Sequence, residues 1–125
     1  MEWAFRSDLP IYTQLAEKLT QAILSGAYPA GARLPAVRDL AAEAGVNPNT
    51  MQRAMTELEQ QGLIYSQRTS GRFVTEDTAV IDGARRRLAK AQARAFWSGM
   101  ARLGYDRQRA LALLTEQDHT DEEVM

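Results

Sequence analysis

The sequence predicts a mainly α-helical protein with one small β-hairpin and a separate pair of helices towards its C-terminal end. Three observations predict this fold class. Apolar residues recur every three or four positions in five segments of the 125-residue chain, which is the spacing of one face of an α-helix. Gly and Pro mark the ends of most of these segments. Between the third and fourth segments, short runs rich in β-branched and aromatic residues indicate strands.

The first helix is predicted to begin at Ile11 and to end at Gly26. Its apolar stripe consists of Ile11, Leu15, Leu19, Ala22 and Ile23. In the arm that precedes it, Trp3 and Phe5 are expected to pack against the fold. The stripe gives the following helices a surface on which to pack.

A second, short helix is predicted after Pro35, which follows a brief strand or link at residues 33–34. Its apolar stripe consists of Val37, Leu40, Ala41 and Ala44. It ends at Gly45, and only Val46 and Asn47 separate that glycine from the next helix. Two short helices joined through a Gly-containing turn form a helix-turn-helix.

The third helix is predicted over residues 48–61, with clear signals at both ends. Asn47 is a favourable N-cap and Pro48 suits the first helical position. Gly62 marks the stop. The apolar residues form one stripe that must face a core: Met51, Ala54, Met55 and Leu58.

The opposite face of this third helix carries polar side chains of medium reach near its start. These are Asn49, Thr50, Gln52 and Arg53. Asn and Gln can bond bidentately to adenine, Arg to guanine, and Thr to a base or a phosphate. We interpret the face as one that reads a groove of double-stranded DNA. The helix alone leaves open the alternative of an ordinary solvated face.

A β-hairpin is predicted after the third helix. Residues 63–67 and 72–75 have the composition of strands, and residues 68–71 have that of a turn. A hairpin directly after a helix-turn-helix forms a wing, and Arg68 and Arg72 flank its tip. Basic side chains there would lie over phosphates or an adjacent minor groove. A simply solvated hairpin is the alternative.

Composition excludes several classes of site. The chain has no Cys and one His, which excludes disulfides, thiolate zinc sites and His-pair metal sites. It pairs no nucleophile with a base and has no phosphate-binding glycine loop, so we predict no enzyme, no cofactor and no metal. The net charge of −1, from 15 bases and 16 acids, is not the basic footprint of a nucleic-acid binder. A module that binds protein instead of nucleic acid therefore remains an alternative.

No segment is expected to enter a membrane. The longest uninterrupted apolar run covers residues 110–114, far short of a membrane span. Charged side chains already interrupt the first twenty residues, which argues against a signal peptide. We therefore expect a cytoplasmic protein.

Residues 78–103 are predicted to form one long, Ala-rich helix. Its apolar surface comprises Val80, Ala84, Leu88, Ala91, Ala95, Phe96, Trp97, Gly99, Met100 and Leu103. A last helix over residues 106–116, with Asp106 as N-cap, folds back on it as a hairpin but is too short to cover this surface. We therefore expect a homodimer that buries Leu88, Ala91, Ala95, Phe96, Gly99, Met100 and Leu103. The alternative is a stripe covered wholly by the protein's own helix-turn-helix domain.

The expected domain organisation has three parts. Residues 1–76 form the winged helix-turn-helix domain, residues 77–116 form a helical hairpin for dimerisation and possible effector binding, and residues 117–125 form an acidic, disordered tail. A basic cluster on the long helix contains Arg85, Arg86, Arg87, Lys90 and Arg94. A solvated face, a contact to DNA backbone and an anionic effector site all remain open for this cluster.

Several groups of residues between positions 10 and 75 keep the spacings of a known domain. They are Pro10-Ile11-Tyr12 with Gln14-Leu15; Gly26, Pro29, Gly31, Leu34-Pro35, Val37-Arg38 and Leu40-Ala41; Val46-Asn47-Pro48-Asn49-Thr50 with Arg53-Ala54; Glu57-Leu58-Glu59 with Gly62-Leu63-Ile64; and Gly71 with Phe73-Val74. In these the chain resembles the N-terminal winged-helix domain of GntR-family bacterial transcription regulators. The Asn-Pro-Asn-Thr start of the third helix and the short C-terminal part are similar to the YtrA-type branch.

The resemblance carries residue roles with it and also has departures. Arg38 matches the family's second-helix arginine, which contacts DNA in characterised relatives. Ala36 stands where the family usually has Ser, and Pro48 and Gln52 stand where many members have Arg. Specificity rules from other branches therefore do not carry over to this chain.

These observations together predict a sequence-specific DNA-binding transcription regulator. We expect a repressor that acts as a homodimer on a palindromic operator, with half-sites about one helical turn, ~34 Å, apart. The resemblance to the YtrA-type branch implies control of a neighbouring transporter operon; the effector is unknown. The candidate DNA-binding residues are Arg38, Asn47, Asn49, Thr50, Gln52, Arg53, Arg68 and Arg72. A winged-helix module that binds protein without DNA is the alternative.

Overall fold

The computed structural model describes the backbone of residues 1–124 and the side chains of residues 1–116. Over this part of the chain, five helices and one two-stranded antiparallel sheet confirm the predicted fold class. In chain order the elements are α1 (Ile11–Leu24), α2 (Val37–Ala44), α3 (Pro48–Gln60), β1 (Ile64–Gln67), β2 (Gly71–Val74), α4 (Thr78–Arg102) and α5 (Arg107–Val124). They form two compact units, one of Met1–Arg85 and one that begins at Arg86.

The core of the first unit lies where the apolar stripes of α1, α2 and α3 meet the base of the hairpin. Its largest fully buried side chains are Leu15, Leu19, Leu40, Met51, Met55, Leu58, Leu63 and Val74. Each of the three helices contributes the stripe that its periodicity predicts. Burial of these side chains fixes the orientation of α3 and therefore of the face that points away from the core.

The turn between α2 and α3 depends on Gly45. This residue has φ 72°, in the left-handed region that glycine enters without steric cost. The N–H of Val46 then donates to the carbonyl of Ala41 at 3.0 Å, which satisfies one of the last carbonyls of α2. The short connection brings α3 against α2, as the helix-turn-helix prediction requires.

The hairpin pairs β1 with β2 in an antiparallel register that sets Ile64 opposite Val74. The other edge of β2 is also used. The N–H of Leu34 donates to the carbonyl of Arg72 at 2.9 Å, and the N–H of Val74 donates to the carbonyl of Ala32 at 2.9 Å. The brief strand predicted at residues 33–34 therefore exists as a bridge along β2, and it anchors the wing to the chain that leads into α2.

The boundary of the first unit differs from the one expected after residue 76. The first compact unit ends at Arg85, inside α4. Ile81 and Ala84, in the first turns of α4, are 8% and 2% exposed and belong to the first unit's core. Periodicity identifies a helix but not the core that its apolar side chains join. The sequence therefore did not indicate that the first turns of α4 pack with the first unit.

In the second unit, a short connection joins α4 to α5 as predicted. The N–H of Tyr105 donates to the carbonyl of Met100 at 3.0 Å. Asp106 acts as the predicted N-cap, because its Oδ1 accepts the N–H of Arg109 at 2.9 Å. Ala110 in the first turn and a half of α5 is fully buried.

The last helix continues further than expected. It runs to Val124 instead of ending at residue 116, so the disordered tail predicted over residues 117–125 overlaps a helix over residues 117–124. The segment has no Gly or Pro to stop a helix, and its Gln and Glu residues are good helix formers even without an apolar stripe. The side chains of this segment and all of Met125 lie outside the described residues.

Candidate nucleic-acid interface

The polar face of α3 is accessible, as the sequence predicted. Asn49, Gln52 and Arg53 are exposed, and Thr50 is half-buried. On the other side of the helix every residue of the apolar stripe is 0% exposed: Met51, Ala54, Met55 and Leu58. The core therefore holds the helix by one face while amide and guanidinium groups remain available on the other.

Asn47 has a structural task at the start of α3. Its Oδ1 accepts the backbone N–H of Asn49 at 2.7 Å, and Pro48 occupies the first helical position. This is the N-cap interaction that the sequence indicates. The capping bond occupies only the side-chain oxygen of this exposed residue, so the DNA contact that we also expected of Asn47 remains a prediction.

Arg53 does not extend freely from α3. Its guanidinium carbon lies 3.7 Å from the centroid of the Tyr12 ring, which belongs to α1. Sequence reasoning assigned no role to Tyr12, because nothing local to residues 11–24 signals a contact with a later helix.

The tip of the wing carries Arg68, in the exposed turn between β1 and β2. Arg38 is exposed on α2. Within the described side chains, neither guanidinium takes part in a hydrogen bond or an ion pair. Both arginines are therefore accessible to an anion such as a phosphate.

Arg72 is placed differently from Arg68. It lies in β2 opposite Ser66, and its side chain is only 20% exposed. Its Nε donates to Oε1 of Glu59 at 2.5 Å, and the same oxygen accepts the hydroxyl of Ser66 at 2.9 Å. The hydrogen bond occupies one donor of Arg72 and part of its side chain remains exposed, so the expected phosphate contact of Arg72 remains a prediction.

The electrostatics of Glu59 reflect this arrangement. The hydrogen bond from Arg72 is the main cause that holds the pKa of Glu59 below its usual range, with partial burial acting in the opposite sense and Ser66 adding to the lowering. The carboxylate therefore stays ionised and joins α3 to both strands of the wing. In the sequence, the only indication of this pair is that Glu59 and Arg72 carry opposite charges. Opposite charges alone are too weak a signal to predict an ion pair between distant residues.

The residues proposed for dimerisation differ in their exposure to solvent. Leu88, Phe96, Gly99 and Met100 are half-buried, and Ala91, Ala95 and Leu103 are exposed. Leu103 is 74% exposed and Leu111 of α5 is 53% exposed. Large apolar side chains that remain in water on a small unit are typical of a surface with a partner.

The basic cluster of α4 is also divided. Arg86, Arg87, Lys90 and Arg94 are exposed. Arg85 instead bonds to Asp82 at 2.5 Å and donates to the backbone carbonyl of Leu24 at 3.1 Å, and all three residues lie in the first unit. Arg85 therefore stabilises the start of α4 against α1.

The part of the chain whose side chains are described lacks two other features. It contains no group of three or more His, Cys, Asp or Glu side chains that could hold a metal ion. None of its helices combines the length and the apolar character that crossing a bilayer requires.

Comparison with known proteins agrees with this geometry. Residues 11–74 match the family described as bacterial regulatory proteins, gntR family. The chain is 32% identical over 111 residues to the uncharacterized HTH-type transcriptional regulator YhcF of Bacillus subtilis, covering 89% of this chain and 92% of YhcF. It is 38% identical over 80 residues to the HTH-type transcriptional repressor YtrA of the same organism, covering 62% of each chain.

Solved structures give the same result. A GntR family transcriptional regulator from Listeria monocytogenes superimposes with a TM-score of 0.85 at 37% identity, over 90% of this chain and 98% of that one. The structure of AraR(DBD) in complex with operator ORE1 matches with a TM-score of 0.52 at 30% identity, over 60% of this chain and 94% of that one. The match to YtrA agrees with the resemblance to its branch that the sequence suggested. From its sequence and its fold alike, this chain belongs to the GntR family of bacterial regulatory proteins.

Proposed function

We propose that this protein is a transcription regulator that binds a specific sequence of double-stranded DNA through α3. One observation carries the proposal: Asn49, Gln52 and Arg53 are exposed on one face of a helix whose other face is wholly buried. A helix of this kind fits the major groove, and its amide and guanidinium groups match the edges of adenine and guanine. The operator complex of the related AraR domain supports this reading.

The proposed contacts divide into two classes. Asn49, Gln52 and Arg53 read bases, and Thr50 lies near the backbone. Arg38 and the wing's Arg68 contact phosphates, so they contribute affinity without sequence preference. Because the whole chain has a net charge of −1, general attraction to DNA is weak, and base contacts carry a larger share of the binding free energy.

Two residues on our list of DNA contacts take supporting roles in this proposal. Asn47 caps α3 and so sets where the helix begins. Arg72 holds the wing to Glu59 at the end of α3. Both act on DNA binding through the placement of other residues.

We also propose that the regulator acts as a homodimer and represses transcription from a palindromic operator. The exposed leucines of the second unit support a subunit interface there. Two-fold symmetry of the protein would place two α3 helices in successive major grooves, about one helical turn, ~34 Å, apart. Repression is supported by the relation to the repressor YtrA. Because such a regulator acts on the bacterial chromosome, we place it in the cytoplasm.

The test is selection of bound sequences from a random pool of DNA duplexes with the full chain. We expect enrichment of one palindromic motif, and tighter binding of that duplex than of a scrambled duplex of the same composition. A repressor lowers transcription from a promoter that overlaps the motif in a purified system. Absence of any enriched motif would overturn the proposal.

A second candidate function is a winged-helix module that binds protein. The near-neutral charge favours it, because a protein with little net charge is not generally attracted to a polyanion such as DNA. The same selection separates the two, since a protein-binding module retains no duplex above background.

A further inference from the structure

The most specific contact at the proposed interface is the one between Tyr12 and Arg53. Tyr12 is the second residue of α1 and is half-buried. The guanidinium carbon of Arg53 lies 3.7 Å from the centre of its ring, which is stacking distance for a cation on an aromatic face. We propose that Tyr12 is a positioning residue that holds Arg53 ready to read a base pair; the inference rests on the proposed function and deepens it.

The stack uses the face of the guanidinium and leaves its edge available. The five N–H donors of an arginine lie in the plane of the group, so a ring below the plane does not compete for them. Among the described residues, Arg53 takes part in no hydrogen bond or ion pair. Arg72 and Arg85, in contrast, both donate to carboxylates. The donor fork of Arg53 thus remains available for the O6 and N7 atoms of a guanine.

The start of α1, which carries the ring, is held in place by the fold. Pro10 precedes α1 as its N-cap residue. Gln14, one turn into the helix, is buried, and its amide donates to the carbonyls of Arg6 and Leu9 at 2.8 and 3.0 Å. Buried side chains of α1 and α3 share one core, so the backbone that carries Tyr12 keeps its position relative to α3. A ring carried on an anchored helix makes a suitable platform for a long, flexible side chain.

The stack should affect specificity more than total affinity. An unrestrained arginine has about 2 kcal/mol of rotamer entropy to lose on binding, and it can reach phosphates as well as bases. Stacking removes part of that freedom before DNA arrives and favours one direction of the fork. Loss of the ring should therefore weaken binding to the operator and leave binding to random duplex nearly unchanged.

The experiment compares the full-length parent with Tyr12→Leu, Tyr12→Phe, Arg53→Ala and the double variant Tyr12→Leu with Arg53→Ala. Each is titrated with the selected operator and with a scrambled duplex at one salt concentration. We expect Tyr12→Leu to weaken operator binding by roughly two- to fivefold, as an exposed cation–π contact implies, and to relax the preference at the base pair that Arg53→Ala relaxes. Tyr12→Phe keeps the ring and should bind as the parent does.

The double variant and a measurement without DNA make the test decisive. In the Arg53→Ala background, Tyr12→Leu should have no additional effect. The NMR signal of the Arg53 Hε proton should be shifted by the ring in the parent and in Tyr12→Phe, and should return to its ordinary position in Tyr12→Leu. Thermal unfolding of each variant verifies that it folds.

Three results with the Tyr12→Leu variant would overturn the inference. They are operator binding by Tyr12→Leu equal to that of the parent, an equal loss on operator and scrambled DNA, and a loss that adds fully to that of Arg53→Ala. A loss in Tyr12→Phe would assign the role to the hydroxyl instead of the ring and would also contradict it. If the parent itself selects no duplex, the proposed function fails and the inference falls with it, whereas a parent that selects an operator isolates the failure to Tyr12.

Discussion

The Nε atom of Arg72 lies 2.5 Å from Oε1 of Glu59, and this ion pair joins the second strand of the wing to the last turn of the recognition helix α3. Ser66 on the first strand donates to the same carboxylate oxygen. One carboxylate therefore links both strands of the wing to the helix. The direction of the wing relative to α3 is set by this link together with the hydrophobic contacts of Leu63 and Val74.

Replacing Glu59 by Gln should loosen the wing without unfolding the protein. A partly exposed ion pair contributes at most about 1 kcal/mol to the free energy of unfolding. We therefore expect Glu59→Gln to lower stability by less than about 1 kcal/mol and to weaken operator binding through the displaced wing. Urea unfolding and operator titration measure the two effects. Glu57→Gln, on the same helix, is the matched control and should change neither.

The effect of Glu59→Gln should depend on pH in a defined direction. The pKa of Glu59 is lowered in the folded protein, chiefly by Arg72, so the unfolded chain takes up a proton first as the pH falls. The stability difference between parent and variant should be complete well above the ordinary glutamate pKa of about 4.3 and should shrink as the pH falls through that value and then through the folded pKa. The lowered pKa of Asp8 is common to both proteins and cancels. A difference that grows towards acid pH would contradict the ion pair.

Arg38→Ala should weaken binding to every DNA sequence by the same factor. A lysine or arginine on a phosphate releases about one counterion, so the slope of log affinity against log salt should fall in magnitude by about 1. Titrations of operator and scrambled duplex at several salt concentrations measure this. Gln52→Ala is the contrasting variant and should cost ~1–3 kcal/mol at a single operator position. Selective loss on the operator in Arg38→Ala would show that this arginine reads bases.

Asn47→Ala should destabilise the first unit by about 1 kcal/mol, because the N–H of Asn49 loses its side-chain acceptor. Asn47→Ser preserves a capping oxygen and should differ little from the parent. Thermal unfolding in the absence of DNA measures both. If Asn47→Ala unfolds like the parent but loses operator binding, then the residue contacts DNA and its capping bond is incidental.

Leu103→Lys should weaken self-association. Leu103 is 74% exposed in the single chain, and burying a leucine is favourable by ~1.5–3 kcal/mol. A lysine there should raise the dimer dissociation constant by about tenfold or more. Sedimentation at micromolar concentrations gives the mass of each variant. Gln92→Lys adds the same charge at an exposed position of α4 and should leave the dimer intact. A parent with the mass of one chain would refute the dimer.

The sequence by itself determined the elements and their inward and outward faces. The N-cap at Asn47, the proline after it and the spacing of Met51, Ala54, Met55 and Leu58 define α3 and its exposed side. These signals work because capping and the 3.6-residue period act between residues close in the chain. The family resemblance rests on the same local spacings, and it was confirmed.

Tertiary structure alone decided which groups of the protein the arginines contact. Arg53 and Arg72 were both expected to contact DNA, one at a base and one at a phosphate; in the structure one stacks on Tyr12 of α1 and the other binds Glu59 at the end of α3. It also decided that the first turns of α4 belong to the first core. Such contacts join residues that are distant in the chain, and only the packing of the core brings them within reach, so no local pattern could have specified them.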